Sequence, residues 1–236
     1  MTLLPRTGER LRAPRLVIAV AAMGMTAALV QPAIADVPRI THQHTRAPIV
    51  LTATSVTSAK LDATKAALRD LWLGHVFWVR NVVVAKLAGD AAMEKAAEKQ
   101  VVANAQSIAA AIEPFYGAAA KEKLFTLLAG HYGGVKAYLD ASLAKNAKQQ
   151  SDALGKLTSN AEEIATFLSS ANPNLPKDTL MGLLQAHAVH HVDQIQELQA
   201  KNYDGEAKTW ADMSQHMYVI ADALADALAK QFPAKF

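Results

Sequence analysis

The chain has no cysteine among its 236 residues, which removes disulfides, thiolate metal sites and a cysteine nucleophile at once. Strand signals are missing too, and glycine and proline, 11 and 9 in number, leave the chain few places to turn, against a fold of many short strands. Nor does one sign of charge prevail. The whole sequence has 24 Lys+Arg against 21 Asp+Glu, but residues 1–35 hold Arg6, Arg10, Arg12, Arg15 and a single acid, Glu9, leaving 20 against 20 in the remainder. The pI of about 9.0 is therefore no sign of nucleic-acid or anionic-membrane binding. H-E-x-x-H, the E-x-x-H diiron repeat, G-x-S-x-G and the P-loop are all absent, which takes support from metalloprotease, hydrolase, ferritin-type and nucleotide-binding chemistry.

What is present begins with an export pattern. An arginine-bearing start precedes an apolar run from Leu16 to Val30, and Ala33-Ile34-Ala35 stands before Asp36. The run is shorter than the roughly 20 residues of a comfortable membrane span. A signal peptide over 1–35, cleaved after Ala35, is expected, and with it a periplasmic or secreted protein without stable membrane insertion. A retained anchor is the alternative. Residues 36–59, with Pro38, Pro48 and a Thr/Ser-rich stretch, read as a flexible linker. Its His42 and His44 are either solvated polar residues or a metal-capturing arm.

From residue 60 onward, apolar positions recur at i, i+3, i+4 and i+7 through long Ala-rich segments, the pattern of amphipathic helices. Breaks fall at Gly89-Asp90, Pro114 to Gly117, Lys145-Asn146, Asn172 to Pro176 and Asn202 to Gly205, cutting the chain into six helices. The segments ending in His75, His131 and His187 align at a spacing of 56 residues, as do those beginning at Asn104, Asn160 and His216. The fold expected over 60–236 is therefore all-α: three tandem αα-hairpin repeats, 60–115, 116–171 and 172–228, plus a C-terminal tail, packed as an up-down antiparallel bundle.

Each helix carries one polar residue in its apolar stripe. Measured from the turns, His75, Asn104, His131, Asn160, His187 and His216 stand at one height, forming a buried polar layer. Such a layer either fixes helix register through paired hydrogen bonds or binds a ligand from facing helices. On the second reading His75, His131, Asn104 and Asn160 border a cofactor. The third repeat departs toward metal, with His191 where the others have Val79 and Val135, and His216 where they have asparagine. His187, His191, His216 and Asp212 then form a candidate set of three nitrogens and a carboxylate for Zn, Cu, Ni or Fe. Asp212 is its weak member, because the equivalent positions hold Gln100 and Lys156. His190 falls off the stripe; Trp72 and Trp78 read as core or as stacking surfaces, and Arg80-Asn81 as a solvated edge or a carboxylate clamp.

Several segments carry a resemblance: Leu71-Trp72-x-x-His75-Val76-x-Trp78-x-Arg80-Asn81, Pro114-Phe115-Tyr116-Gly117, Phe167 to Asn174, and Gln231-Phe232-Pro233-x-Lys235-Phe236. Together they resemble a largely uncharacterised group of small all-helical bacterial proteins, some labelled glycosyltransferases. The resemblance implies an all-helical fold and, through the label, sugar transfer, and it brings no catalytic residues. Three functions stay open: an extracytoplasmic binding protein for a transition metal or haem, a structural or interaction protein whose polar layer only sets register, and a metal-assisted enzyme or the transferase of the label.

Overall fold

Six α-helices account for nearly all of residues 54–236, which are the residues that the computed structural model describes. They are α1 (Thr54–Ala88), α2 (Ala91–Tyr116), α3 (Ala118–Leu143), α4 (Ala147–Ala171), α5 (Lys177–Ala200) and α6 (Tyr203–Gln231), and a 3-10 turn, Pro233–Lys235, closes the chain. No strand occurs among the described residues. The expected export segment, most of the expected linker, and His42 and His44 lie outside them. α1 starts at Thr54, before the expected boundary at residue 60, since Thr and Ser cost a helix only a fraction of a kcal/mol each.

The turn inside each hairpin is built the same way. Gly89, Lys145 and Lys201 each take a left-handed conformation, with φ of 70°, 52° and 57°. The residue after each, Asp90, Asn146 or Asn202, returns its backbone N–H to a carbonyl of the finished helix at 2.9–3.0 Å. That same residue caps the next helix: its side chain accepts the N–H of Met93, Gln149 or Gly205. These turns recur at the 56-residue spacing, compatible with three hairpins. The joint between α2 and α3 differs. Gly117, at φ 83° and ψ 175°, is the single residue between two helices, in a backbone region open essentially to glycine alone. Pro114 does not end α2, which runs two residues past it.

The helices close into a ring, each packing on its neighbours in sequence, with α6 returning to α1. α5 also touches α1 and α3, so the odd-numbered helices approach one another inside the ring. Burial follows from the sequence stripes: Val76, Val79, Val82 and Val83 of α1, Val135, Tyr138 and Leu139 of α3, and Ile195 of α5 are all buried. The α1–α6 seam adds ion pairs, Lys65–Asp226 at 2.8 Å and Arg69–Asp222, exposed enough to contribute little. One end of the bundle is sealed by aromatic rings. Phe115 lies 5.4 Å from Phe232 and 5.9 Å from Phe236, centroid to centroid, and Tyr116 donates its hydroxyl to Gln231 at 2.6 Å. Among the described residues, no helix is long and apolar enough to cross a membrane.

Candidate metal centre

α1, α3 and α5 run in the same direction, since an antiparallel helix separates each from the next. Residues at equal positions in the repeat, His75, His131 and His187, therefore meet at one height where these helices converge. His191, one turn further along α5, joins them. One ring nitrogen from each of the four can be chosen so that all lie within 4.8 Å of one another. All four residues are buried, with at most 6% of their surface exposed. The ring centroids of His75, His131 and His187 are 5.3–5.8 Å apart, and the Nε2 atoms of His187 and His191 are 3.1 Å apart.

Burial decides the protonation of this cluster. Loss of water, aided by the neighbouring His131, pushes the His75 pKa down to about 3, and burial takes His131 down to about 4. Burial first, and repulsion among the rings second, hold His187 and His191 well below the usual imidazole value. At neutral pH the four rings are uncharged, each with a nitrogen lone pair available to a metal. Their hydrogen-bonding capacity is poorly used. His75 Nε2, His131 Nε2 and His187 Nδ1 are buried with no partner among the described residues, and each such orphan costs roughly 1–3 kcal/mol.

The other members of the expected layer stand outside this cluster. Asn104 donates Nδ2–H to the carbonyl of Leu71 at 2.9 Å, and Asn160 does the same to Leu127 at 3.0 Å. His216 repeats the contact with a different side chain, its Nε2 bonding the carbonyl of Leu183 at 2.9 Å. In each case the bond runs from the second helix of a hairpin to the first, 33 residues back. Each asparagine packs tightly on a glycine: a Cβ on Gly74 would stand 3.0 Å from Asn104 Nδ2, and one on Gly130 would stand 3.1 Å from Asn160 Nδ2. In the third hairpin both change together, to Ala186 and His216. His216 thus occupies the register-setting position, half-buried with its ring 5.4 Å from that of His190. Asp212 is exposed and pairs with Lys208 at 3.1 Å. The set His187, His191, His216 and Asp212 is not assembled: the first two face the inside of the ring, the last two do not. Asn104 and Asn160 likewise border the hairpin seams rather than the imidazole cluster.

One group of functional interest left no motif. Arg80, read from the sequence as a solvated edge or a carboxylate clamp, is half-buried and holds a carboxylate of the chain itself, Glu206, through two hydrogen bonds of 2.6 and 2.9 Å. Gln194, one turn beyond His191, donates to Glu206 at 3.1 Å, so that α1, α5 and α6 are tied together beside the cluster. Glu206 is buried, and Arg80, first through hydrogen bonding and then through charge, holds its carboxyl below the usual range. Arg80 was singled out in the sequence, but its partner Glu206 was not, because one acid on the last helix has nothing to mark it among the others.

No family model, curated protein or solved structure matches the chain.

Proposed function

We propose that this protein is an exported helical-bundle metal-binding protein that holds one transition-metal ion between His75, His131, His187 and His191. The observation that carries the reading is the convergence of four neutral, buried imidazoles from three helices, three with an unpartnered nitrogen. Tetrahedral coordination at 2.0–2.1 Å places ligand nitrogens about 3.3 Å apart. The His187–His191 pair, at 3.1 Å, is already near that spacing, and the others, within 4.8 Å, reach it by closing inward about 1.5 Å. An ion held with that pair turns the orphaned Nε2 atoms of His75 and His131 into ligands and makes the four rings a cross-link among α1, α3 and α5. An all-imidazole set suits Zn, Cu, Ni or Fe, with Cu²⁺ held most tightly among the divalent ions.

A bare ion fits better than haem. Haem iron takes axial ligands from opposite faces of a flat ring, whereas four nitrogens converging on one point leave no slot for a porphyrin. The register reading applies to a different part of the layer, namely Asn104, Asn160 and His216, each of which bonds a backbone carbonyl of the paired helix. Nucleotide-sugar transfer draws no support from the described residues, which provide no strand for an α/β nucleotide fold and no carboxylate in the cluster. The export part of the proposal rests on the residue order of positions 1–36. Titration of protein lacking a purification tag with Zn²⁺ and Cu²⁺ tests the site. One ion per chain is expected, bound at least about a hundredfold more weakly when His75, His131, His187 or His191 is changed to alanine and with unchanged affinity in Asp212→Ala. Wild-type affinity in His75→Ala and His131→Ala would contradict it.

A further inference from the structure

The space above the imidazoles is as informative as the imidazoles themselves. His75, His131 and His187 line an internal cavity that extends toward the aromatic-sealed end of the bundle, past Leu128 and Leu184 to Tyr116. His191 does not line it. It sits one turn, about 6 Å, deeper along α5. An ion held by all four rings would have three ligands around it and the fourth beneath, leaving its remaining face toward the cavity. Apart from these rings, the walls are aliphatic and aromatic, with no charged residue.

Two further features define what the cavity can hold. The volume open to water-sized atoms is about 60 Å³, room for roughly four such atoms and well short of the roughly 150 Å³ that accommodates benzene. Trp72, a lining residue whose ring is 6.2 Å from that of His75, is buried to 6% exposure, and its Nε1–H has no partner among the described residues. A donor left unbonded beside an apolar cavity is costly unless something else accepts from it.

We propose that the cavity is a binding site for a small uncharged molecule, of about two to four non-hydrogen atoms, that coordinates the ion on its open face and accepts a hydrogen bond from Trp72. The proposal rests on the metal-binding reading above. Walls without a charged residue favour an uncharged molecule, and an open volume of about 60 Å³ a small one. Binding forms one coordinate bond from a ligand lone pair to the metal. As it forms, the bond to His191 beneath the ion breaks, so that a d10 ion such as Cu(I), whose shell is full with four imidazoles, keeps four donors; nothing is oxidised or reduced.

Carbon monoxide on the Cu(I)-loaded protein is a suitable probe, read by the infrared C–O stretching band after copper stoichiometry has been measured. One carbon monoxide per copper is expected. Ala111→Leu and Ala223→Leu, which fill the cavity away from the histidines, should keep the copper and helical circular dichroism and lose the band. Trp72→Phe should shift the band and weaken binding about tenfold, the worth of one hydrogen bond. A full copper load without a carbon monoxide band overturns this inference and leaves the metal site standing. A band unmoved by Trp72→Phe and by both filling variants overturns it too, because the probe would then reach copper by another route. Failure to take up copper fails the metal reading and this proposal with it.

Discussion

In the first two hairpins the inner helix reads Gly-His-x-x-x-Val and its partner carries asparagine; in the third the inner helix reads Ala-His-x-x-x-His and its partner carries histidine. The two added histidines have different positions and different work. His216 does what Asn104 and Asn160 do, bonding a carbonyl across the hairpin, and alanine stands opposite it where the asparagines face glycine. His191 replaces a fully apolar core residue with an imidazole that faces three others. A change compensated by its neighbour maintains a scaffold. A change that adds a fourth buried imidazole beside two whose Nε2 atoms have no partner points to a ligand.

Acid should break the inner group first. In the metal-free protein His75 and His131 titrate at about 3 and about 4 when folded, against 6.5 when unfolded. Between those values the unfolded chain binds more protons. Stability is therefore fully present above pH 6.5 and is lost as pH falls toward 4 and 3, by about 1.4 kcal/mol per pH unit for each such histidine. Urea denaturation from pH 7.5 down to 4.5 should show this steep loss, and a saturating metal should suppress it by competing with protons. A flat profile for the metal-free protein would contradict the burial argument.

His191→Val, which gives the third hairpin's inner helix the valine of the others, should act on metal binding far more than on the fold. Metal affinity should fall at least about hundredfold, the upper range for losing a mere supporting partner of a ligand. Stability of the metal-free protein should change by no more than about 1 kcal/mol, because a buried imidazole leaves the core while His187 Nε2 loses its partner. Calorimetric titration and urea unfolding of the same preparation measure both. Unchanged affinity would make the third hairpin no different from its neighbours.

The comparison also shows how far the sequence could be read. Helix breaks were legible because the turn chemistry is local: Gly89-Asp90, Lys145-Asn146 and Lys201-Asn202 end one helix and cap the next with their own atoms. Inward orientation was legible for His75, His131 and His187 because each shares a stripe with Leu and Val. Grouping was harder. Counting residues from a turn gives height along the bundle and says nothing of distance from its axis. His216 and Asp212 were therefore joined to His187 and His191 by height, although α6 presents them toward the seam and the solvent. The Gly74–Asn104 and Gly130–Asn160 pairs, replaced jointly by Ala186–His216, were the available sign that His216 belongs to the seam.

His216→Ala should cost about 1 kcal/mol, the loss of one hydrogen bond, with metal affinity unchanged; His216→Asn combined with Ala186→Gly should recover most of it. Asp212→Ala should stay within about 0.5 kcal/mol, as for an exposed residue with one surface ion pair. The smallest effect lies in the turns. Lys145 and Lys201 take positive φ where the first hairpin uses Gly89, so changing either to glycine should stabilise by no more than about 1 kcal/mol. Thermal unfolding of these variants ranks the seams and turns against the centre.

The central claim is that four imidazoles drawn from three helices share one ion. X-ray absorption spectroscopy of the zinc-loaded protein measures that coordination shell directly. The account predicts four nitrogen neighbours at 2.0–2.1 Å with the multiple-scattering signature of imidazole, reduced to three nitrogens in His75→Ala. A shell containing a carboxylate oxygen, or one unchanged in His75→Ala, would contradict it.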